Sequence, residues 1–177
     1  MSKQKKKKVI HYEGKFRRFV NIGGWEFVER LQDGGIVVIL PMTEKKDVIL
    51  IKQFRPPIGK YIIEFPAGLV SDTKECEGET LAEAANRELI EETGYKAARL
   101  KKLTVGPSSA ATCSDMLTFY RAYGLKKVGK GGGIDIEDIT VHSVKLSKVD
   151  AWLTSKEREG CIVDPKVYAG LYFLMHK

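Results

Sequence analysis

The sequence contains no apolar segment long enough to cross a membrane as a helix. Its longest apolar runs, at residues 36–40 and 48–51, have the length of buried strands, whereas a spanning helix needs about 20 residues. The three cysteines (Cys76, Cys113 and Cys161) are odd in number and unpaired in spacing, which argues against a disulfide framework or a zinc site. No apolar segment follows the basic first residues, so no secretory signal is predicted and we expect a cytoplasmic protein.

The charge pattern of a nucleic-acid-binding protein is also missing. The net charge is +7, but residues 3–8 contain five lysines, and without them the balance is only +2. Aromatic residues do not alternate with basic ones after this run, as binding to a single strand would require. Residues 1–9 are therefore expected to form a disordered basic tail, and nucleic acid is not expected as a partner.

The composition instead fits one globular domain, expected at residues 10–177. The chain has 177 residues, of which 43% are hydrophobic. Alternating and helical patterns predict strands at residues 9–20, 25–30, 36–40, 47–53, 61–65, 100–105, 116–125 and 140–146, and helices at residues 81–92, 149–159 and 165–176. This order favours an α/β fold in which a mixed sheet lies between helices, with an antiparallel strand region at the N-terminus.

The helix predicted at residues 81–92 carries the pattern that points to chemistry. A capping-box sequence precedes it and a glycine follows it, so both ends are well defined. Glu88, Glu91 and Glu92 lie three and four residues apart and therefore share one surface of the helix. Like charges this close destabilise a helix, and a divalent cation such as Mg²⁺ would compensate because it prefers carboxylate oxygens. The alternative is an ordinary charged face exposed to solvent.

The string around these glutamates resembles the signature of the Nudix hydrolases. That signature has Glu, seven residues, Arg-Glu, an aliphatic residue, any residue, Glu-Glu, any residue and Gly; here Glu79 is followed by Arg-Glu-Leu-Ile-Glu-Glu-Thr-Gly-Tyr at residues 87–95. The strings Gln-Phe-Arg-Pro-Pro at residues 53–57 and Glu-Phe-Pro-Ala-Gly-Leu at residues 64–69 are similar to the ADP-ribose pyrophosphatase and nucleoside diphosphate sugar hydrolase branch. The resemblance covers most of residues 10–175 and implies the Nudix fold.

The chain departs from the family pattern in one place. The pattern has five residues between its glycine and its first glutamate, whereas ten residues separate Gly68 from Glu79. The loop at residues 69–78 is therefore expected to be five residues longer than usual. This insertion leaves the helix intact but alters the loop and any substrate contact that it makes.

The resemblance implies a metal site built from the helix and the strand before it. Glu88, Glu92 and the backbone carbonyl of Ala67 would coordinate Mg²⁺ or Mn²⁺, which both suit oxygen ligands. Glu91 would bind a further ion or hold a metal-bound water.

Further residues would orient these carboxylates or bind the substrate. By the same resemblance, Arg87 pairs with the carboxylates and takes part in catalysis, and Glu79 supports that network. Arg55 would contact phosphate and Glu64 would also bind substrate. Trp25 would stack on the nucleobase, although a tryptophan that covers the core is an equal alternative.

A general base is expected on the segment that follows the glycine-rich stretch at residues 129–133. Glu137 is the best match to the base of this branch, with Asp135 as the alternative and a plain surface carboxylate as a third interpretation. The glycines predict a hinge that lets this acidic segment close over bound substrate.

The predicted function is metal-dependent hydrolysis of the pyrophosphate bond of a nucleoside diphosphate sugar, ADP-ribose or a relative, to a nucleoside monophosphate and a sugar phosphate. A triphosphate-sanitising Nudix pyrophosphatase is one alternative, but the extended N-terminus and the two strings argue against it. A non-catalytic, ligand-sensing Nudix domain is another, but such domains commonly lack box glutamates that are all present here. In this branch the N-terminal strands, here residues 10–32, often cross to a second subunit, so a homodimer is expected. The sequence leaves open the preferred sugar and base.

Overall fold

The computed structural model describes residues 7–32, 34–71, 76, 78–134 and 138–176. It begins with an antiparallel sheet of three strands in the order β1-β2-β3. These strands are β1 (Lys8–Glu13), β2 (Arg17–Ile22) and β3 (Trp25–Arg30). The strand expected at residues 9–20 is thus two strands, because a turn in which Gly14 donates its N–H to the Arg17 carbonyl interrupts it. β1 also begins two residues before the expected start of the domain.

The rest of the chain alternates between strands and three helices. The elements are β4 (Ile36–Pro41), β5 (Asp47–Arg55), β6 (Lys60–Glu64), β7 (Ala67–Leu69), α1 (Leu81–Thr93), β8 (Tyr95–Lys96), β9 (Arg99–Pro107), β10 (Met116–Tyr123), β11 (Lys126–Lys127), β12 (Ile139–Lys145), α2 (Val149–Arg158), β13 (Ile162–Val163) and α3 (Pro165–His176). The three predicted helices are confirmed to within one residue at each end. The short strands β7, β8, β11 and β13 were not predicted, because two or three residues show no periodicity.

Two mixed sheets of four strands form the body of the fold, as predicted for the α/β class. One has the order β7-β4-β10-β9, in which β10 pairs with β4 in parallel and the other pairs are antiparallel. The other has the order β12-β5-β6-β13, in which only β13 and β6 are parallel. The strands β11 and β8 form a separate antiparallel pair.

The strand β4 shows why its sheet lies between helices. Its residues are apolar on both faces, which is typical of a strand covered on both sides. Ile39 belongs to a core cluster with Leu89 of α1, whereas its neighbour Leu40 belongs to a second cluster with Leu171 of α3. The two faces of β4 therefore belong to different clusters, one shared with α1 and the other with α3, whereas α2 lies against β12 and β13 of the other sheet. None of the helices in the described ranges is both long and apolar enough to span a membrane.

The helix α1 has the ends that the sequence predicts. The Thr80 hydroxyl accepts the N–H of Glu83, and the Glu83 carboxylate accepts the N–H of Thr80, which completes the capping box. Gly94 ends the helix with φ of 70° and donates its N–H to the Ile90 carbonyl at 2.8 Å. Because α1 also lies against β4 and β7, its carboxylates are held beside the strand that follows the Glu-Phe-Pro string.

Candidate active site

Two of the three clustered glutamates on α1 are buried. Glu88 is 8% exposed and Glu92 is 2% exposed, although carboxylates are rarely buried unless they are paired. Glu92 accepts a hydrogen bond from the backbone N–H of Ala67 at 3.0 Å. This bond joins the helix to the start of β7, so two of the predicted metal-binding residues are in direct contact.

Gly68 allows the second contact between α1 and β7. A Cβ atom added to Gly68 would lie 1.9 Å from the carboxyl carbon of Glu88 and 2.0 and 2.4 Å from its two oxygens. Any side chain at this position would therefore occupy the space of the Glu88 carboxylate. The glycine of the Ala-Gly pair is needed for the close approach of backbone and carboxylate.

Arg87 is the centre of a network of ion pairs around these carboxylates. Its guanidinium makes two hydrogen bonds to Glu79, at 2.8 and 3.1 Å, and one each to Glu88 at 2.9 Å and Glu91 at 3.1 Å. It also donates to the backbone carbonyl of Leu69 at 2.9 Å. The sequence analysis expected Arg87 to pair with these carboxylates but not with Leu69, and the part of Arg87 in catalysis stays a prediction.

The network shifts the protonation equilibria of its members. Hydrogen bonds from Arg87 hold the pKa of Glu79 below the ordinary carboxyl value, and a backbone N–H from Ser71 at 2.9 Å adds to this effect. The same bonds to Glu79, together with the charges of Glu88 and Glu91, raise the pKa of Arg87 above its ordinary value. The guanidinium is therefore permanently charged and favours the ionised form of Glu79.

The donor groups at this place suit a hard divalent cation. Carboxylate and carbonyl oxygens are the ligands that Mg²⁺ prefers, and Glu88, Glu91, Glu92 and Ala67 all line one cavity. In the described part of the chain, no three His, Cys, Asp or Glu side chains form a ready ligand set, and Glu88 and Glu91 are bonded to Arg87. Because a carboxylate has about four lone-pair sites, a bond from Arg87 and coordination to a cation can coexist on one group.

The cavity that these residues line has a volume of about 600 Å³, within the range of pockets that hold a small-molecule ligand. Its wall combines charges of both signs. The acidic residues are Glu64, Glu88, Glu91, Glu92 and Asp115, and the basic residues are Arg17, Arg30, Arg55, Arg87 and Lys166.

Arg55 and Glu64 are paired across the cavity wall. They lie at the end of β5 and the end of β6, and the Nε–H of Arg55 donates to a Glu64 carboxylate oxygen at 2.8 Å. Glu64 is buried, whereas Arg55 is partly exposed. The structure thus brings two of the three predicted substrate-binding residues to the same cavity as the α1 carboxylates.

Of the predicted site residues that the structure describes, Trp25 is not part of this group. Trp25 is 64% exposed on β3, and it is not among the described residues that line the cavity. Glu137 and the alternative base Asp135 lie outside the described residues. Ile134, just before them, lines the cavity.

The sequence analysis missed a charged cluster on the opposite wall. Arg17 and Arg30 face each other on β2 and β3, where like charges repel. Asp115, with a side chain only 7% exposed, accepts from Arg17 at 3.0 Å and from Arg30 at 3.3 and 3.4 Å. The signal in the sequence was slight, because Asp115 is 98 and 85 residues away from the two arginines.

Comparison with known proteins agrees with this arrangement. The chain is 31% identical to an ADP-ribose pyrophosphatase from Bacillus subtilis, over 84% of this chain and 76% of the relative. It is 30% identical to a methanol dehydrogenase activator from Bacillus methanolicus, over 82% of this chain and 75% of the relative. A crystal structure of an ADP compounds hydrolase has the same fold, with a TM-score of 0.66 and 22% identity over 98% of this chain and 95% of that one.

The family assignment rests on the part of the chain that contains α1, the sheet β7-β4-β10-β9 and three of the four strands of the other mixed sheet. The sequence profile of the NUDIX domain matches residues 33–153, which is more than half of the chain and includes every carboxylate of the α1 network. The chain therefore belongs to the NUDIX domain family.

Proposed function

We propose that this protein is a divalent-cation-dependent pyrophosphohydrolase that cleaves a nucleoside diphosphate sugar, ADP-ribose or a relative, into a nucleoside monophosphate and a sugar phosphate. Membership of the NUDIX family supports the reaction class. The name of the Bacillus subtilis relative, ADP-ribose pyrophosphatase, supports the substrate class.

The observation that carries the proposal is that the α1 carboxylates and cationic side chains line one cavity. Glu88, Glu91 and Glu92 line the same space as Arg55 and have Arg87 beside them. A diphosphate needs cationic groups that contact its oxygens and an acidic site that retains metal ions. The described wall of the cavity provides both.

In this proposal Glu88, Glu92 and the Ala67 carbonyl hold the cations, and Glu91 holds a further ion or a bound water. Bound Mg²⁺ or Mn²⁺ supplies charge neutralisation on the diphosphate and lowers the pKa of a coordinated water. The hydrogen bond from the Ala67 N–H keeps the Glu92 carboxylate oriented toward β7. Arg87 restrains Glu88 and Glu91 at the same time, so its role is to position these groups.

Arg55 orients the diphosphate. The Glu64 carboxylate accepts the Nε–H of Arg55 and so fixes the orientation of the planar guanidinium. The remaining N–H groups of the guanidinium can donate to phosphate oxygens in a fixed geometry. Glu64 is thus a positioning residue for Arg55 as well as part of the cavity wall.

We assign the general base to Glu137, with Asp135 as the alternative. Water attacks one phosphorus atom in line and the base accepts its proton, so no covalent intermediate forms. Glu137→Gln is expected to lower kcat more than it raises KM. If Asp135→Asn has the larger effect, the assignment moves to Asp135.

The test is a panel of nucleoside diphosphate sugars, with dGTP beside them, in Mg²⁺ and in Mn²⁺, with identification of the products. The proposal expects a nucleoside monophosphate and a sugar phosphate, and it fails if the protein releases pyrophosphate from dGTP but hydrolyses none of the sugars.

Glu92→Gln should lower turnover by several orders of magnitude. Glu83→Gln, on the exposed side of the same helix, is the matched control because glutamine also suits its capping position. Near-normal turnover of Glu92→Gln at saturating Mg²⁺ would remove Glu92 from the metal site.

We further propose that two copies of the chain associate through the N-terminal strands, at residues 10–32. The three-stranded sheet exposes an unusual number of large apolar side chains, which are Val9, Ile10, Tyr12, Phe16, Phe19 and Trp25. Such patches are typical of interaction surfaces, and a second copy would also bring Trp25 near a nucleobase. Light scattering should give twice the chain mass, and Trp25→Ala should raise KM more than it lowers kcat. A monomer with full activity would contradict this arrangement.

We also propose that the protein is located in the cytoplasm.

A further inference from the structure

The glycine-rich segment at residues 128–133 is bound to the C-terminal end of α1. The N–H groups of Val128 and Gly129 donate to the Gly94 carbonyl at 2.8 and 3.1 Å. The N–H of Gly132 donates to the carbonyl of Glu92 at 2.9 Å, and the N–H of Gly133 donates to that of Glu91 at 3.1 Å. Carbonyls at the end of a helix lack partners within it. This segment therefore satisfies several of them.

Two glycines, Gly94 and Gly131, are required by this contact. A Cβ at Gly131 would lie 2.4 Å from the Thr93 carbonyl carbon, and one at Gly94 would lie 2.2 Å from the Gly129 oxygen. Residues 131, 132 and 133 all have positive φ, which glycine adopts without strain. The hinge expected from the sequence is thus, up to residue 133, a segment packed backbone to backbone against the helix.

Lys127 fastens this contact with a charge. Its ammonium group donates to the Thr93 carbonyl at 2.7 Å and to the Lys130 carbonyl at 3.3 Å, so it joins the helix end to the segment. It also lies over the ring of Tyr95 at 4.6 Å. The last turn of α1 contains no basic residue of its own, and a cation near a helix C-terminus is favourable. Lys127 supplies that cation from β11.

We propose that Lys127 is a positioning residue for hydrolysis. We call residues 128–133 the brace. Lys127 holds the brace against the end of α1, so the brace and the carboxylates of that helix keep fixed positions relative to each other. Glu91 and Glu92 contribute both the side chains that line the cavity and the carbonyls that hold the brace. A shift of the brace therefore acts on the same two residues whose side chains are proposed to hold the ions.

The brace also fixes one end of the segment that carries the candidate bases. Gly133 is bonded to the Glu91 carbonyl, and Ile139 pairs with Gln53 on β5, so five residues connect two anchored points. Loosening the brace therefore removes a fixed point from the chain that leads to Glu137 and Asp135. The expected effect on turnover rests on the proposed function. The expectation that Lys127 holds the brace against α1 does not depend on that function.

The experiment compares Lys127→Met with Lys126→Met. Lys126 is the neighbouring exposed lysine of β11 and makes none of the bonds to α1, so it controls for the loss of one surface charge. Hydrogen exchange followed by mass spectrometry reports on the brace without any activity. We expect the amides of residues 128–133 to exchange about tenfold faster in Lys127→Met and at the wild-type rate in Lys126→Met.

Kinetics with ADP-ribose and Mg²⁺ then test the positioning role. A displacement of about 1 Å at a reacting group costs up to about 100-fold, so we expect kcat to fall at least about tenfold in Lys127→Met, with KM changed less than about threefold. Lys127→Arg keeps the cation and should recover most of the loss. Thermal unfolding of each variant shows that the fold is retained at the assay temperature.

Several results would overturn the proposal. One is hydrogen exchange at residues 128–133 that stays at the wild-type rate in Lys127→Met. Another is an unchanged kcat in Lys127→Met. The third is a kcat of Lys127→Arg that is as low as that of Lys127→Met. If the wild-type protein hydrolyses no nucleoside diphosphate sugar, the proposed function fails, and the exchange measurement still decides whether Lys127 clamps the brace.

Discussion

Replacing Gly68 with alanine is the smallest change that should displace a carboxylate of the site. Gly68 lies in β7, directly after Ala67, and the added methyl group would point at Glu88 rather than into open space. The substitution removes no polar group and changes no charge. Its effect on activity therefore reports on the position of the Glu88 carboxylate.

The expected loss of activity in Gly68→Ala follows from the distances between the added Cβ and Glu88. The new Cβ would lie 1.9 Å from the carboxyl carbon of Glu88, whereas carbon atoms in contact are about 3.5 Å apart, so the two groups must separate by about 1.5 Å. A misplacement of about 1 Å at a reacting centre costs about 100-fold, and we expect a loss of kcat of at least that size in Gly68→Ala. Overpacking of this kind should also lower the free energy of unfolding by about 1–3 kcal/mol.

The assay is the initial rate of ADP-ribose hydrolysis over a range of Mg²⁺ concentrations, with urea unfolding of the same samples. Gly106→Ala is the matched control, because a Cβ at Gly106 in β9 would meet no atom within 4 Å, and its rate should equal that of the wild type. Wild-type turnover in Gly68→Ala would refute the reasoning. So would a crystal structure of an inactive variant in which the Glu88 carboxylate has not moved.

Three further substitutions test the ion pairs. Arg87→Lys loses the bidentate bond to Glu79 and should lower the free energy of unfolding by about 2 kcal/mol in urea titrations; an unchanged midpoint would contradict it. Asp115→Asn leaves Arg17 and Arg30 facing each other, so we expect a lower melting temperature that recovers partly in about 1 M salt; an equal loss at low and high salt would exclude repulsion. The lowered pKa of Glu79 stabilises the fold above its ordinary carboxyl value of 4.5, and this contribution is lost as the pH falls through the lower folded pKa. In Glu79→Gln the free energy of unfolding should therefore decrease less steeply as the pH is lowered. A decrease as steep as in the wild type would show that groups other than Glu79 cause the loss of stability in acid.

The parts of the site that could be predicted are those that local sequence determines. The helix α1 has its cap at Thr80, its end at Gly94 and its glutamates at helical spacing, all within one short stretch of chain. The position of Ala67 beside Glu92 was expected from the family resemblance, because the relation between β7 and the helix belongs to the fold. These features need no knowledge of distant contacts beyond that resemblance.

The parts that were missed depend on contacts between distant segments. Asp115 meets Arg17 and Arg30 only after the N-terminal sheet has packed against the loop before β10, where Ser114 donates its N–H to the Val28 carbonyl at 3.1 Å. No periodicity in the sequence records that contact.

The packing of the glycine-rich stretch against α1 was not predicted, for a related reason. Glycine serves equally well in a flexible hinge and in a close approach of two backbones, and composition does not distinguish these uses. The structure distinguishes them, because Gly131 touches the end of α1 so closely that a Cβ there would overlap with Thr93. The same lack of side chains that suggested mobility is what permits the docking.

The charges of the cavity explain why its carboxylates and arginines belong together in the proposed function. The described residues of the wall include five acidic and five basic side chains, so their formal charges cancel. Such a wall gives a diphosphate no net attraction, and several of its guanidiniums, such as those of Arg55 and Arg87, are already bonded to carboxylates. A net positive charge arises only when the α1 carboxylates hold divalent cations. The proposed function therefore implies that occupancy of the metal site sets the affinity for the diphosphate, whereas Arg55 sets the orientation of the substrate.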